Sequence, residues 1–252
     1  MKRTWELLLA LTAAELRESR DFTLAGFAKW VLEPISYMLV YFIVVASILD
    51  RYRVAYPLFL FCALIPWRYF SGVIQESMYL MNRYAETIKN RAFPTAVLPL
   101  VLMAAEATTF LVSLVLFAPL MAYYDIGPSR SLLALPLVVG VLFLITSGPT
   151  FLAAIFGLYF PDFRGAAQNL IRVGFFVSSG LVPISEVPGH ELPLLLQANP
   201  MTGIFDSFRA IILHGRAPHW VDLAYPAAVG AIVLALGLGV FRWRVFELPK
   251  EV

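Results

Sequence analysis

Four ionisable residues stand inside or at the edge of long apolar runs: Glu33, Arg68, Glu76 and Glu106. A charge at the centre of a bilayer costs at least about 2.5–3.5 kcal/mol on insertion scales, so such residues serve pairing, an ion or proton path, or a substrate. Glu106 lies deep in its run and is expected to face the protein interior, paired or lining a passage. Glu33 and Glu76 are within snorkelling reach of an interface. Arg68 either pairs with one of these carboxylates or meets an anionic substrate, and both readings stay open. Other chemistries lack their residues. No glycine is followed by lysine, so the phosphate loop GxxxxGK[ST] is absent, as are GxSxG and HExxH. His190, His214 and His219 have no helical ligand spacing, and the single Cys62 rules out an internal disulfide, so no metal site is expected. Ser147-Gly148 and Ser179-Gly180 read as small residues for close helix packing. An enzyme is unsupported by these residues.

The elements that must position these groups are membrane helices. The chain is 60% hydrophobic and 14% charged, with a mean hydropathy of +0.77. Soluble domains run at roughly 45–50% and 25%, so a soluble globular reading is excluded. Bilayer hydrocarbon is about 30 Å thick and needs about 20 mostly apolar residues per helix. Six windows qualify: 28–49, 57–81 with an interruption at Pro66-Trp67-Arg68, 96–122, 132–158, a shorter 170–184, and 223–241. The expected fold is an all-α integral membrane protein with six transmembrane helices in a single domain, residues 1–252.

At the start, Met1-Lys2-Arg3 before the uncharged run 7–14 imitates a secretory signal peptide. Glu6 and the charged stretch 15–21 favour instead an amphipathic interface helix over residues 1–21, with Trp5, Leu8, Leu9 and Leu16 on one face. That segment is therefore expected to be kept. Lys2, Arg3, Arg17, Arg20, Lys29, Arg83, Lys89, Arg91, Arg164, Arg172, Arg242, Arg244 and Lys250 would fall on one side, against Arg51, Arg53, Arg130, Arg209 and Arg216 on the other. The excess places both termini in the cytoplasm.

Residues 185–220, on the external side, are broken by Pro188, Gly189, Pro193, Pro200 and Gly215 into pieces too short to span. Leu192, Leu194 to Leu196, Ile204, Phe205, Phe208 and Ile211 to Leu213 are too apolar for an ordinary loop. Two re-entrant half-helices before the last span are expected, with Asn199 as cap or turn ahead of Pro200. Such a segment would close a channel externally, through Leu192, Asn199, Pro200, Phe205, Phe208 and Arg209.

The stretch Asn82-Arg83-Tyr84-Ala85-Glu86-Thr87-Ile88-Lys89-Asn90-Arg91-Ala92-Phe93-Pro94-Thr95-Ala96-Val97-Leu98-Pro99-Leu100 resembles the cytoplasmic segment of polysaccharide and polyol phosphate export permeases of the ABC transporter superfamily. Their pattern is roughly N-x-x-L-I-x-K-x-x-F-P-x-x-x-L-P. Asn199-Pro200-Met201-Thr202, then Phe208-Arg209 and Leu213-His214-Gly215, is similar to their external N-P-[LM]…F-R…L-x-G signature. Ile65-Pro66-Trp67, Phe160-Pro161-Asp162 and Leu24-Ala25-Gly26…Trp30…Glu33-Pro34 fit in the same order. One departure is Pro161, where relatives often carry Arg before the Asp; Arg164 is the candidate to replace it.

The resemblance implies a homodimeric permease of the cytoplasmic (inner) membrane that docks two copies of a separate ATPase subunit. No cofactor is implied in this chain, ATP and Mg being bound by the partner. The implied substrate is an undecaprenyl-linked polysaccharide, O antigen foremost. The cytoplasmic segment 82–95 would couple to the ATPase through Arg83, Tyr84, Glu86, Lys89, Arg91 and Phe93; read without the family pattern, it is a solvated turn. Tyr37, Tyr41, Trp67, Arg68, Tyr69, Phe70, Tyr79 and Glu106 are candidates for the channel, since sugars stack on rings, although each ring could equally face lipid. Lys29 and Arg91 would meet a lipid pyrophosphate at the entrance. The rivals are an ion-coupled secondary transporter using Glu106 and Glu33 and a membrane enzyme acting on lipid-linked sugars.

Overall fold

In lipid each backbone amide and carbonyl needs a partner within the protein, which makes helices of long apolar runs. The computed structural model describes residues 2–18, 36, 55–89, 94–181 and 191–244, and its elements there are all helical. In chain order they are α1 (Lys2–Glu18), α2 (Tyr56–Arg83), α3 (Ala85–Ile88), α4 (Val97–Leu114), α5 (Phe117–Tyr123), α6 (Leu135–Tyr159), α7 (Arg164–Gly174), α8 (Glu191–Ala198), α9 (Pro200–Ile212) and α10 (Trp220–Arg244). Tight 3₁₀ turns occupy Arg130–Ala134 and Pro161–Phe163.

Among the described residues, Tyr56–Arg83, Val97–Tyr123, Arg130–Tyr159 and Trp220–Arg244 are long and apolar enough to cross a membrane. They coincide with the second, third, fourth and sixth expected windows. The first window, 28–49, lies outside the described residues apart from Ser36. The fifth departs from expectation, because α7 stops at Gly174 and residues 175–180 run in turns. Gly174, Ser178, Ser179 and Gly180 are weak helix formers, and the carbonyls of the last two bond to a side chain instead of to helical amides. Nor does Pro66 interrupt α2, which runs unbroken for 28 residues. A proline removes one amide from the ladder, and packing on both faces holds the helix through the gap. Cys62, one turn earlier, is fully buried.

Helix α6 is the centre of the bundle, with α10 against one side and α2 against the other. Glycine lets the backbones meet. A Cβ on Gly148 would stand 2.4 Å from the carbonyl carbon of Val233, and one on Gly237 2.6 Å from the carbonyl oxygen of Gly148. On the α2 side, a Cβ on Gly157 would stand 1.9 Å from the carbonyl oxygen of Met78. Ser147-Gly148 thus packs helices as its composition suggests, whereas Ser179-Gly180 belongs to a turn. Helix α4 lies on α2, α1 lies along α4, and α9 is set against α10, α2 and α6. One core joins Leu58, Phe61, Leu142, Phe205 and Phe208, and a second, toward the C-terminal end of α2, joins Leu80, Ile88, Leu98, Phe151 and Phe241. Helix α10 buries a narrow stripe of Leu223, Pro226, Gly230, Gly237 and Phe241 and exposes Ile232, Leu236 and Val240, as a lipid-facing helix does.

Gly148→Val and Gly157→Val are each expected to force α6 from a neighbour and to cost at least about 1–3 kcal/mol. Thermal unfolding of the purified protein in detergent measures this. Gly140→Ala, on the same helix with open space around it, should leave the midpoint unchanged.

Candidate functional site

Asn199-Pro200 opens α9 as these residue types dictate. Asn199 is extended (φ −78°, ψ 116°), its Oδ1 accepts from the Met201 amide at 3.0 Å, and Pro200 takes the first helical position, where no amide is needed. Asn199 Nδ2 donates to the Val177 carbonyl at 3.2 Å. Thr202 Oγ1 donates to the Leu196 carbonyl at 2.6 Å and accepts from the Ser179 amide at 3.4 Å. Two side chains therefore tie α8, α9 and the 175–181 turns into one unit. Tyr225 of α10 adds a bond from its hydroxyl to the Ala198 carbonyl at 2.7 Å, closing the end of α8.

Arg209 fastens this unit to the bundle. Only 4% of it is exposed. Nη2 donates to the carbonyls of Ser179 at 2.7 Å and Gly180 at 3.0 Å. Nη1 donates to Ser179 Oγ at 3.2 Å and Asp206 Oδ1 at 2.9 Å. The guanidinium lies 3.6 Å from the ring centroid of Phe59 on α2, and Tyr56, one turn before, donates its hydroxyl to the Leu181 carbonyl at 3.0 Å. A planar fork of five donors with an apolar face suits this role, satisfying carbonyls in its plane and a ring on its face. Nε is buried with no hydrogen-bond partner, so both Nη groups carry the clamp. Burial lowers the pKa of this group below the ordinary arginine value, and the Asp206 carboxylate pulls the other way.

Aromatic rings complete the junction. Trp67 on α2 stands 5.4 Å from Phe70, 5.8 Å from Phe175 in the turns and 6.4 Å from Phe205 on α9, centroid to centroid. Phe208 packs on Phe117 at 6.4 Å. Of the residues expected in the gate, Phe205, Phe208 and Arg209 point inward and anchor the segment; Asn199 and Pro200 form its corner. Position 192 lies on α8, its side chain outside the described residues.

The channel candidates divide. Trp67 and Phe70 join the aromatic junction of α2, α9 and the turns, and Arg68 is half-buried between them in sequence. Tyr69 is 3% exposed and packed between Phe110 and Phe143 at 5.3 and 4.9 Å, because two positions along a helix turn a side chain to another face. Glu106 is half-buried on α4, its Oε2 3.9 Å from the place a Cβ on Gly72 of α2 would take. Tyr79, near the other end of α2, is exposed; its hydroxyl accepts from Gln168 Nε2 at 3.2 Å and Arg164 covers its ring at 4.9 Å. Tyr37, Tyr41 and Lys29 lie outside the described residues.

At the C-terminal end of α2, Arg83 Nη1 meets Glu15 Oε1 of α1 at 2.6 Å, and Nη2 meets Glu76 Oε2 at 2.8 Å. Tyr84 donates its hydroxyl to Glu15 Oε2 at 2.5 Å. Glu86 and Lys89 are exposed and pair with each other at 2.9 Å, while Arg91 and Phe93 lie outside the described residues. Sequence reasoning left Glu15 without a partner, since nothing local announces a contact across 68 positions. Arg164 bonds through Nε and Nη2 to the Gly157 carbonyl near the end of α6, a use foreshadowed by a cation just past a helix C-terminus. Among the described residues no group of three or more His, Cys, Asp and Glu could hold a metal ion.

No protein-family model matches the chain. It is 27% identical over 247 residues to the O-antigen export system permease protein RfbA of Myxococcus xanthus, covering 98% of this chain and 95% of that protein. A Klebsiella pneumoniae protein of the same name is 22% identical over 249 residues, covering 97% and 95%. The polysialic acid transport protein KpsM of Escherichia coli is 23% identical over 240 residues, covering 93% and 92%. The resemblance to polysaccharide export permeases thus holds along almost the whole chain. With its apolar helices it makes this a multi-pass membrane protein, and the relatives carry transport names.

Arg209→Lys keeps the charge but loses the fork, and is expected to cost about 1.5–3 kcal/mol, read as a lower unfolding midpoint and faster hydrogen exchange at residues 175–181. Arg216→Lys, exposed on the next connection, should change neither.

Proposed function

We infer that this chain is the transmembrane subunit of an ATP-driven exporter that moves undecaprenyl-linked polysaccharide, O antigen foremost, across the cytoplasmic membrane. The observation that carries the reading is near end-to-end similarity to proteins named for O-antigen export and polysialic acid transport. The sequence supplies no phosphate loop, so the motor is a separate subunit that binds ATP and Mg. Two permease copies with two ATPase copies form the working assembly, with both termini cytoplasmic, in keeping with the distribution of Lys and Arg.

In this reading residues 82–95 couple to the ATPase and residues 185–220 close the channel on the outer side. Two short apolar helices joined at Asn199-Pro200 support the gate assignment. The exposed Glu86 and Lys89, next to a helix end tied into the bundle, support the coupling assignment. Rings at the junction of α2 and α9 offer stacking surfaces beside the path.

Purification of the tagged permease from its host is expected to bring down a nucleotide-binding subunit whose hydrolysis drives glycan export in proteoliposomes without a proton gradient. Reversing charge at Lys89 and Arg91 together should leave insertion intact and separate hydrolysis from export. Export that follows the proton gradient with no ATPase present, or turnover of lipid-linked sugar by the permease alone, would overturn the reading.

A further inference from the structure

We propose that Glu15 is a positioning residue for energy coupling, joining the N-terminal helix to the start of the 82–95 connection so that the two move together. The proposal rests on the exporter reading above, in which that connection meets the ATPase. The Glu15 side chain is 14% exposed, and each of its oxygens takes one bond, from Arg83 Nη1 at 2.6 Å and from the Tyr84 hydroxyl at 2.5 Å. A carboxylate held by one charged and one phenolic donor makes short, strong, directional contacts, more so where water is scarce.

The partners' place in the chain gives these bonds their meaning. Arg83 is the last residue of α2, and Tyr84 is the lone residue between α2 and α3. Arg83 reaches back to Glu76 on α2 with its other nitrogen, so the guanidinium bridges the helix end and α1. Helix α1 also lies along α4, the helix that receives the chain after the connection. The N-terminal helix is thus fixed to both ends of the segment, by an ion cluster before it and by packing after it. Between the two anchors Ile88 is buried in the core with Leu80, Leu98 and Phe241, while Glu86 and Lys89 stand exposed. A push on the exposed side therefore reaches α1 through Tyr84 and Arg83, and α1 resists or follows according to whether Glu15 holds. Without Glu15, the push can be absorbed locally by an untethered helix end.

The test compares wild type, Glu15→Ala, Glu15→Gln and Tyr84→Phe in proteoliposomes containing permease and its ATPase, reading ATP hydrolysed and glycan exported in the same vesicles. Glu15→Ala is expected to keep its ATPase subunit and to hydrolyse at near wild-type rate while glycan exported per ATP falls about fivefold or more, the scale of a typical coupling energy. Glu15→Gln, which keeps acceptor and shape but not charge, should fall between. A merely structural role would lower export and hydrolysis together, leaving their ratio unchanged, and that result overturns the proposal. Should Glu15→Ala fail to insert, Tyr84→Phe decides, because it keeps the ion pair and removes one bond: an unchanged ratio there refutes the idea, and a lower one supports it. A wild-type preparation with no ATPase and no ATP-dependent export would instead strike the exporter reading itself.

Discussion

Helix α6 touches its neighbours backbone to backbone on two sides, through Gly148 against Val233 and Gly157 against Met78, and the other elements take their places around that contact. Lipid tails are as apolar as leucine, so membrane helices gain little by hiding leucine from them; close packing and hydrogen bonds must hold them together instead. Glycines at these crossings supply the closeness. Once α2, α6 and α10 are fixed, α4 can lie on one side and α9 can bridge all three. Helix α10 is then free to spend most of its surface on Ile232, Leu236 and Val240 facing outward.

The junction of α8, α9 and the 175–181 turns is held by a different physics. Residues 175–181 have left the helical ladder, and bare carbonyls in an apolar setting cost free energy unless a donor reaches them. Arg209 brings donors to Ser179 and Gly180 while Asp206 offsets its charge and Phe59 covers its face. A buried charge is weak evidence for stability taken alone. Here it orients a turn, two short helices and the first turns of α2.

Much of the fold was legible because hydropathy is additive along a helix: α2, α4 with α5, α6 and α10 lie where apolar windows of sufficient length place them. The corner at Asn199-Pro200 was legible because a cap is local, needing only two neighbouring residue types. The turns at residues 175–181 were not, since an apolar run does not reveal that its carbonyls will bond to an arginine on another helix. The burial of Tyr69 against Phe110 and Phe143 was not legible because α2 is apolar on most of its circumference, and without a polar face the period gives no direction. Glu15 escaped notice because ion pairs distant in sequence leave no periodic trace.

Both ends of α2 are committed. At the first, Tyr56 reaches Leu181 and Phe59 lies under Arg209; at the last, Arg83 holds Glu15. Each residue of an α-helix adds about 1.5 Å and about 100° of rotation. Inserting or deleting one residue anywhere in these 28 would therefore swing one end by nearly a third of a turn relative to the other, breaking either the aromatic and carbonyl contacts or the ion cluster. Point substitution along α2 is open wherever packing allows, but a change of length is closed, so homologous chains that keep both clamps must keep the count between them.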